Sequence, residues 1–122
     1  MPLYELIVED SFDAAHCLRG YEGSCERLHG HTYRVQVSLR APAVDELGIS
    51  LDFRKAKSAL REVLAELDHQ FLNDLPAFSQ KNPSAEHIAK HVFELVSQAL
   101  DAQVYRVTVW ETPTAAASYV PD

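Results

Sequence analysis

Several large protein classes are excluded by what this sequence has little of. Only two cysteines, Cys17 and Cys25, occur in 122 residues. Two are too few for a disulfide-stapled secreted scaffold, and a chain of this length buries enough surface to hold a core without staples. There is no run of lysine or arginine, and the formal net charge is -7 with histidine neutral. General nucleic-acid binding is excluded, because neutralising phosphates takes a clustered basic face. No apolar stretch approaches the ~20 residues of a membrane-spanning helix. The opening segment MPLYELIVED carries Glu5, Glu9 and Asp10, unlike a secretory signal. Repeats, low-complexity segments and linkers are missing too. These absences leave one soluble, cytoplasmic domain over residues 1–122, with no membrane or nucleic-acid partner.

What is present reads as alternating strands and amphipathic helices. Tyr4, Leu6 and Val8 alternate with Glu5, Ile7 and Glu9, a strand period that continues toward Phe12–His16. A loop over residues 17–30 holds three of the glycines and both cysteines. In TYRVQVSLR, Tyr33, Val35, Val37 and Leu39 point one way and Arg34, Gln36, Ser38 and Arg40 the other. Residues 52–67 form a helix, with Asp52 as N-cap and a stripe of Phe53, Ala56, Leu60, Val63, Leu64 and Leu67. Pro83 and Ser84 open a second helix whose stripe runs from Ile88 to Leu100. The strands VYRVTVWE and ASYV follow, joined by a turn at TPT. The expected fold is α+β: a four-stranded antiparallel sheet, two helices on one face, order ββααββ.

Chemistry gathers in the stretch SCERLHGHTY and just upstream of it. His29 and His31 are two apart, so in extended backbone both imidazoles reach the same side, and Gly30 between them has no side chain to crowd an ion. His16 ends the first strand. If the two strands pair, three imidazoles converge in a set that suits Zn²⁺ and leaves a fourth position open, as catalytic sites do. Otherwise the three are scattered residues that cap, pack or face water. Cys25 would close the site as a fourth ligand, or stand beside it as a thiolate usable as a base. Its spacing, C-x-x-x-H-G-H, matches no zinc finger. Asp68-His69 falls where the first helix ends, and is either a cap or an oriented proton carrier. Glu111 ends a strand. It is either a solvated acid or a carboxylate placed to accept an amidine-like pair of N–H groups.

Taken as an ordered set, His16, Cys25-x-x-x-His29-Gly30-His31, Asp68-His69, Asn82-Pro83-Ser84-Ala85-Glu86 and Trp110-Glu111-Thr112 resemble the 6-pyruvoyl-tetrahydropterin synthase / 6-carboxytetrahydropterin synthase family. The resemblance covers almost the whole chain, and the compact length is more like the carboxy-forming enzymes of queuosine biosynthesis. It implies the tunnelling fold (T-fold), assembled as trimers stacked into a homohexamer with sites between subunits. It implies 7,8-dihydroneopterin triphosphate as substrate and Zn²⁺ held by His16, His29 and His31. Cys25 is then the catalytic base, Asp68 and His69 its acid/base partners, and Glu111, Thr112 and Glu86 the pterin contacts. Arg19, Arg27, Arg54 and Lys81 are candidates for the phosphates by position alone. Glu26 gives E-x-x-H-G-H as well, a pattern resembling members that cleave the side chain to a hydroxymethyl pterin. The pyruvoyl-forming reaction and a non-enzymatic, closed metal site are the other readings.

Overall fold

The computed structural model describes residues 3–20 and 27–121. Its elements are β1 (Tyr4–His16), β2 (His29–Ala41), α1 (Phe53–Ala65), β3 (Gln70–Phe71), α2 (Ala85–Ala99), β4 (Gln103–Thr112) and β5 (Ala115–Tyr119), with two short 3₁₀ turns between β3 and α2. They form one sheet in the order β3-β1-β2-β4-β5. β1 and β2 pair antiparallel from Tyr4 opposite Ala41 to His16 opposite His29. β4 and β5 extend the sheet antiparallel on one side, while β3 joins the other edge parallel to β1.

The sheet therefore has five strands, not the expected four. The extra strand has two residues, too short for any alternation to mark it, and lies in what reads as a connection. β2 also starts earlier than expected: His29 and His31 are in the ladder itself rather than in a loop before it.

Helix boundaries follow their caps. Asp52 accepts from the Arg54 backbone N–H and Ser84 from that of His87, satisfying donors that the first turn leaves without partners. Ala56, Leu60, Val63 and Leu64 of α1, and Ile88, Ala89, Val92 and Val96 of α2, are buried against the sheet. Phe53, read as part of that stripe, is 56% exposed at the first helical position. The inward residues of β1 and β2, among them Val8, Phe12, Tyr33, Val35 and Val37, complete the core. Burial of each such large apolar side chain contributes roughly 1.5–3 kcal/mol. The alternate residues, including Glu5, Glu9, Asp13, Thr32 and Arg34, are exposed on the face without helices. Among the described residues, no helix is long and apolar enough to cross a membrane.

Two irregularities shape β4. Ser38 and Leu39 of β2 pair with Arg106 and Val104, so Tyr105 is an extra residue. Against β5, Trp110 pairs with Ala116 and Thr112 with Ala115, which leaves Glu111 as the extra one. Bulges of this kind re-aim side chains at sheet ends. At this same end β1 finishes, β2 begins and β4 delivers Glu111.

Candidate metal centre and its grooves

Because His16 and His29 are cross-strand partners, and His31 follows two residues along the same face, the three rings meet. Their centroids lie 4.5, 5.2 and 4.7 Å apart. His16 Nε2 is 2.9 Å from His29 Nε2. Glu111 Oε1 lies 3.0 Å from His16 Nε2 and 3.1 Å from His31 Nε2. One ligand atom from each of the four residues falls within 4.8 Å of the others.

The tautomers decide what this cluster wants. A carbonyl can only accept, so His16 Nδ1–H donates to Pro83 O and His29 Nδ1–H to Arg27 O, each at 2.8 Å. In the neutral rings both Nε2 atoms are then bare lone pairs facing each other, beside a carboxylate oxygen. Only a positive charge, a metal ion or an added proton, reconciles three acceptors at that range. Among the described residues His31 Nε2 is buried with no hydrogen bond, its contact with Glu111 lacking the geometry for one. Burial pushes the His31 pKa below the ordinary imidazole range. Glu111 pulls the other way, and His16 and His29 add to the lowering. A ring kept neutral is in its ligand form. Imidazoles with a carboxylate fit a divalent ion of borderline softness.

Glu111, expected as a pterin contact, is turned toward the imidazoles and also borders the groove beside them. Beneath it, Tyr33 stands edge-on to His16 and His31 and stacks on Phe12. The Tyr33 hydroxyl is buried without a hydrogen-bond partner among the described residues, and burial, then the charge of Glu111, raises its pKa. Nothing in the sequence singles out this tyrosine except its place two residues after His31.

Two open grooves meet at Gly30 and His31. One, of about 520 Å³, is bordered by Arg34, Trp110, Glu111 and Thr112. The other, of about 490 Å³, is bordered by Asp13, His69 and Phe71. Asp68 is fixed by the backbone of β1: its Oδ1 accepts from Asp13 N–H at 2.9 Å, which turns Oδ2 to His69 Nδ1, also at 2.9 Å. The hydrogen bond and charge of Asp68 raise the His69 pKa, and the bonds from Asp13 and His69 lower that of Asp68. His69 is 77% exposed and holds a left-handed φ of 59°. A non-glycine residue there is strained, and such strain clusters at working sites. A smaller apolar cleft of about 320 Å³ near Tyr4, Val44 and Phe53 lies at the far end of β1 and borders no histidine.

Gly30 has a different role from the one read in the sequence. It points away from the imidazoles, and a Cβ there would meet only Ala14 O at 3.6 Å, an ordinary contact. Gly30→Ala should therefore fold and hold metal as the parent does, with at most a narrowing of the grooves; metal titration of the purified variant checks this.

The structure brings His16, His29, His31 and Glu111 together, with Thr112 and His69 on the adjoining grooves. Glu86 stays exposed on the first turn of α2, outside both. Cys25 and Glu26 lie outside the described residues. Cys17 is buried and disulfide-bonded, contrary to the expectation of an unstapled chain. Of the phosphate candidates, Arg19 is spent on the carbonyls of Asn73 and Phe78, at 3.0 and 2.8 Å. Arg54 is forked onto Asp52. Arg27 and Lys81 are exposed. The cation of the Glu111 groove is Arg34, which the sequence reading passed over.

A mostly antiparallel sheet backed by two helices, with a cluster that could hold a metal at one sheet end and a groove on either side, defines a class: small α+β domains with a candidate metal centre. The chain matches the model of the 6-pyruvoyl tetrahydropterin synthase family over residues 5–122, and it belongs to that family. It is 37% identical to the 6-carboxy-5,6,7,8-tetrahydropterin synthase of Synechocystis, over 91% of this chain and 88% of that protein. It is 35% identical to the dihydroneopterin monophosphate aldolase of Pyrococcus furiosus, over 87% of this chain and 88% of that one. The solved 6-pyruvoyl tetrahydropterin synthase of Caenorhabditis elegans superposes with a TM-score of 0.88 at 30% identity, covering 100% of this chain and 98% of that chain. The tunnelling fold expected from the sequence is the fold observed.

Proposed function

We propose that this chain is a zinc-dependent lyase, a 6-carboxy-5,6,7,8-tetrahydropterin synthase of queuosine biosynthesis. The reaction would take 7,8-dihydroneopterin triphosphate and water to 6-carboxytetrahydropterin, acetaldehyde and triphosphate. The observation that carries the reading is the pair of bare Nε2 atoms facing each other beside the Glu111 carboxylate. The family membership and the name of the Synechocystis relative support the substrate class.

Held by His16, His29 and His31, a zinc ion would supply Lewis acidity to the side-chain oxygens and make an adjacent carbon acid removable near neutral pH. The chain's own groups do the rest. Cys25, as the thiolate that reduction of the disulfide would free, would take the proton from carbon. His69, oriented by Asp68 at the edge of the neighbouring groove, would be its partner acid/base. Triphosphate leaves by elimination. Cleavage between the first and second side-chain carbons then leaves one carbon on the ring as carboxylate and releases two as acetaldehyde. Arg34, with its guanidinium 3.8 Å over the Trp110 ring and its Glu9 partner a distant 3.9 Å, supplies positive charge for the phosphates. Glu111, Thr112 and Glu86 are the pterin contacts in this reading, and Glu86 would come from a neighbouring subunit of a homohexamer.

Product analysis tests the proposal. Purified protein, loaded with zinc and kept reduced, should release acetaldehyde and triphosphate in equal amounts. Cys25→Ala should keep its metal and lose about 10²–10⁴ of turnover, the usual weight of a positioned acid/base group. A 6-pyruvoyl product without acetaldehyde selects the pyruvoyl synthase. The Pyrococcus relative favours one further reading, side-chain cleavage to a hydroxymethyl pterin using Glu26, which would release a glycolaldehyde phosphate instead. Metal retention without any pterin turnover would leave the non-enzymatic metal site.

A further inference from the structure

We infer that Asn82 is a positioning residue for the metal centre, acting through the carbonyl of Pro83 on His16. The inference rests on reading the three histidines as metal ligands.

The β1–β2 ladder ends at His16 and His29. Beyond it the backbone of residues 17–19 has no strand beside it among the described residues, and two asparagine side chains take the place of one. Asn73 Oδ1 accepts from Cys17 N–H at 3.0 Å and its Nδ2 donates to Cys17 O at 2.8 Å. Asn82 repeats the arrangement on Arg19, accepting from its N–H and donating to its carbonyl, both at 2.8 Å. A side-chain amide has the donor and acceptor of a peptide unit, so each asparagine imitates one rung of a sheet.

The two clips differ in what they carry with them. Asn82 precedes Pro83, whose carbonyl accepts from the buried His16 Nδ1–H at 2.8 Å. The other side of this short segment is also fixed: Ser84 caps α2, and the Asn82 carbonyl accepts from His87 Nδ1 at 2.6 Å. Proline has no N–H, so the segment cannot be tied down through its own backbone donor at residue 83. Asn82 supplies that tie by fastening it to the chain three residues after His16. The consequence reaches the metal ligand directly. With the Pro83 carbonyl in place, His16 keeps its proton on Nδ1 and turns a bare Nε2 to the cluster. His16 is 1% exposed, so water cannot set the tautomer in its stead. Partners of this kind, which hold a ligating imidazole by its other nitrogen, set metal affinity by about 10–100-fold.

Three measurements on the full chain test the assignment. In metal-free wild-type protein, long-range ¹H–¹⁵N correlation should show His16 with its proton on Nδ1; a proton on Nε2 overturns the inference without any variant. Asn82→Ala and the milder Asn82→Asp should bind Zn²⁺ about 10–100-fold more weakly in competition with a chromophoric chelator. They should also show a mixed His16 tautomer. Asn73→Ala loses the same two kinds of bond and should lower the melting temperature comparably, yet keep its zinc affinity within about threefold. Zinc affinities of the Asn82 variants that match Asn73→Ala overturn the inference. Failure of the wild-type protein to bind zinc would overturn the metal reading instead.

Discussion

Replacing His16 with alanine should empty the metal centre and weaken the fold, whereas replacing His29 should empty the centre alone. Both substitutions leave two imidazoles where three converge, so metal per chain should fall from one toward zero and turnover by more than about 10³-fold, since the proposed reaction has no other source of Lewis acidity. Their effects on stability differ because their surroundings differ. His16 is buried, and its loss leaves a cavity and strands the Pro83 carbonyl without its donor. Together these cost on the order of 2–4 kcal/mol. His29 is partly exposed and bonds a carbonyl two residues away at the surface, so its removal should cost under about 1 kcal/mol. Metal content after gel filtration and melting temperatures of the metal-free proteins separate the two effects. Full metal retention by His29→Ala would show that the ion binds elsewhere.

His69→Asn should dissociate activity from stability. A left-handed residue with a Cβ is strained by roughly 1–2 kcal/mol, and asparagine tolerates that region better than histidine. The variant should be as stable as the parent or up to about 1 kcal/mol more so. Asparagine carries no exchangeable proton near neutral pH, and turnover should drop about 10²–10⁴-fold. Equal losses in stability and activity would make His69 merely structural. The pH profile gives a second handle. To accept a proton His69 must be neutral, so activity is lost as pH falls through its pKa. That pKa is raised by the hydrogen bond and charge of Asp68, so the acid limb should lie above the 6.5 of an ordinary imidazole. Asp68→Asn keeps an oxygen for the Asp13 N–H but removes the charge, and the limb should move down toward 6.5. A limb that stays put or moves up would break the pairing of these residues.

How far the sequence could be read depended on whether a feature is periodic. Apolar alternation in β1 and β2 and the stripes of α1 and α2 report directly which face is buried, and the architecture followed from them. The His16 and His29/His31 convergence was legible for the same reason, because strand parity fixes side. β3 was invisible because two residues contain no period. The inward side of Glu111 follows the alternation of Val107 and Val109, but its lack of a partner in β5 was invisible, since pairing between β4 and β5 is a property of two segments at once. Asn73 and Asn82 read as loop residues, since a side chain standing in for a strand leaves no pattern along the chain. Arg34 looked like any outward strand cation; its meaning comes from Trp110, its cross-strand neighbour.

The extra residue at Glu111 also bears on engineering. A designer who wished to harden this protein by making its ladder perfectly regular would delete one residue from β4 at the Trp110–Thr112 step. The shortened strand would pair evenly with β5 and swing the Thr112 hydroxyl into the inward place that the carboxylate now holds. The sheet would gain order and the imidazoles would lose their anionic neighbour, because the residue without a partner in β5 is the one whose carboxylate reaches them.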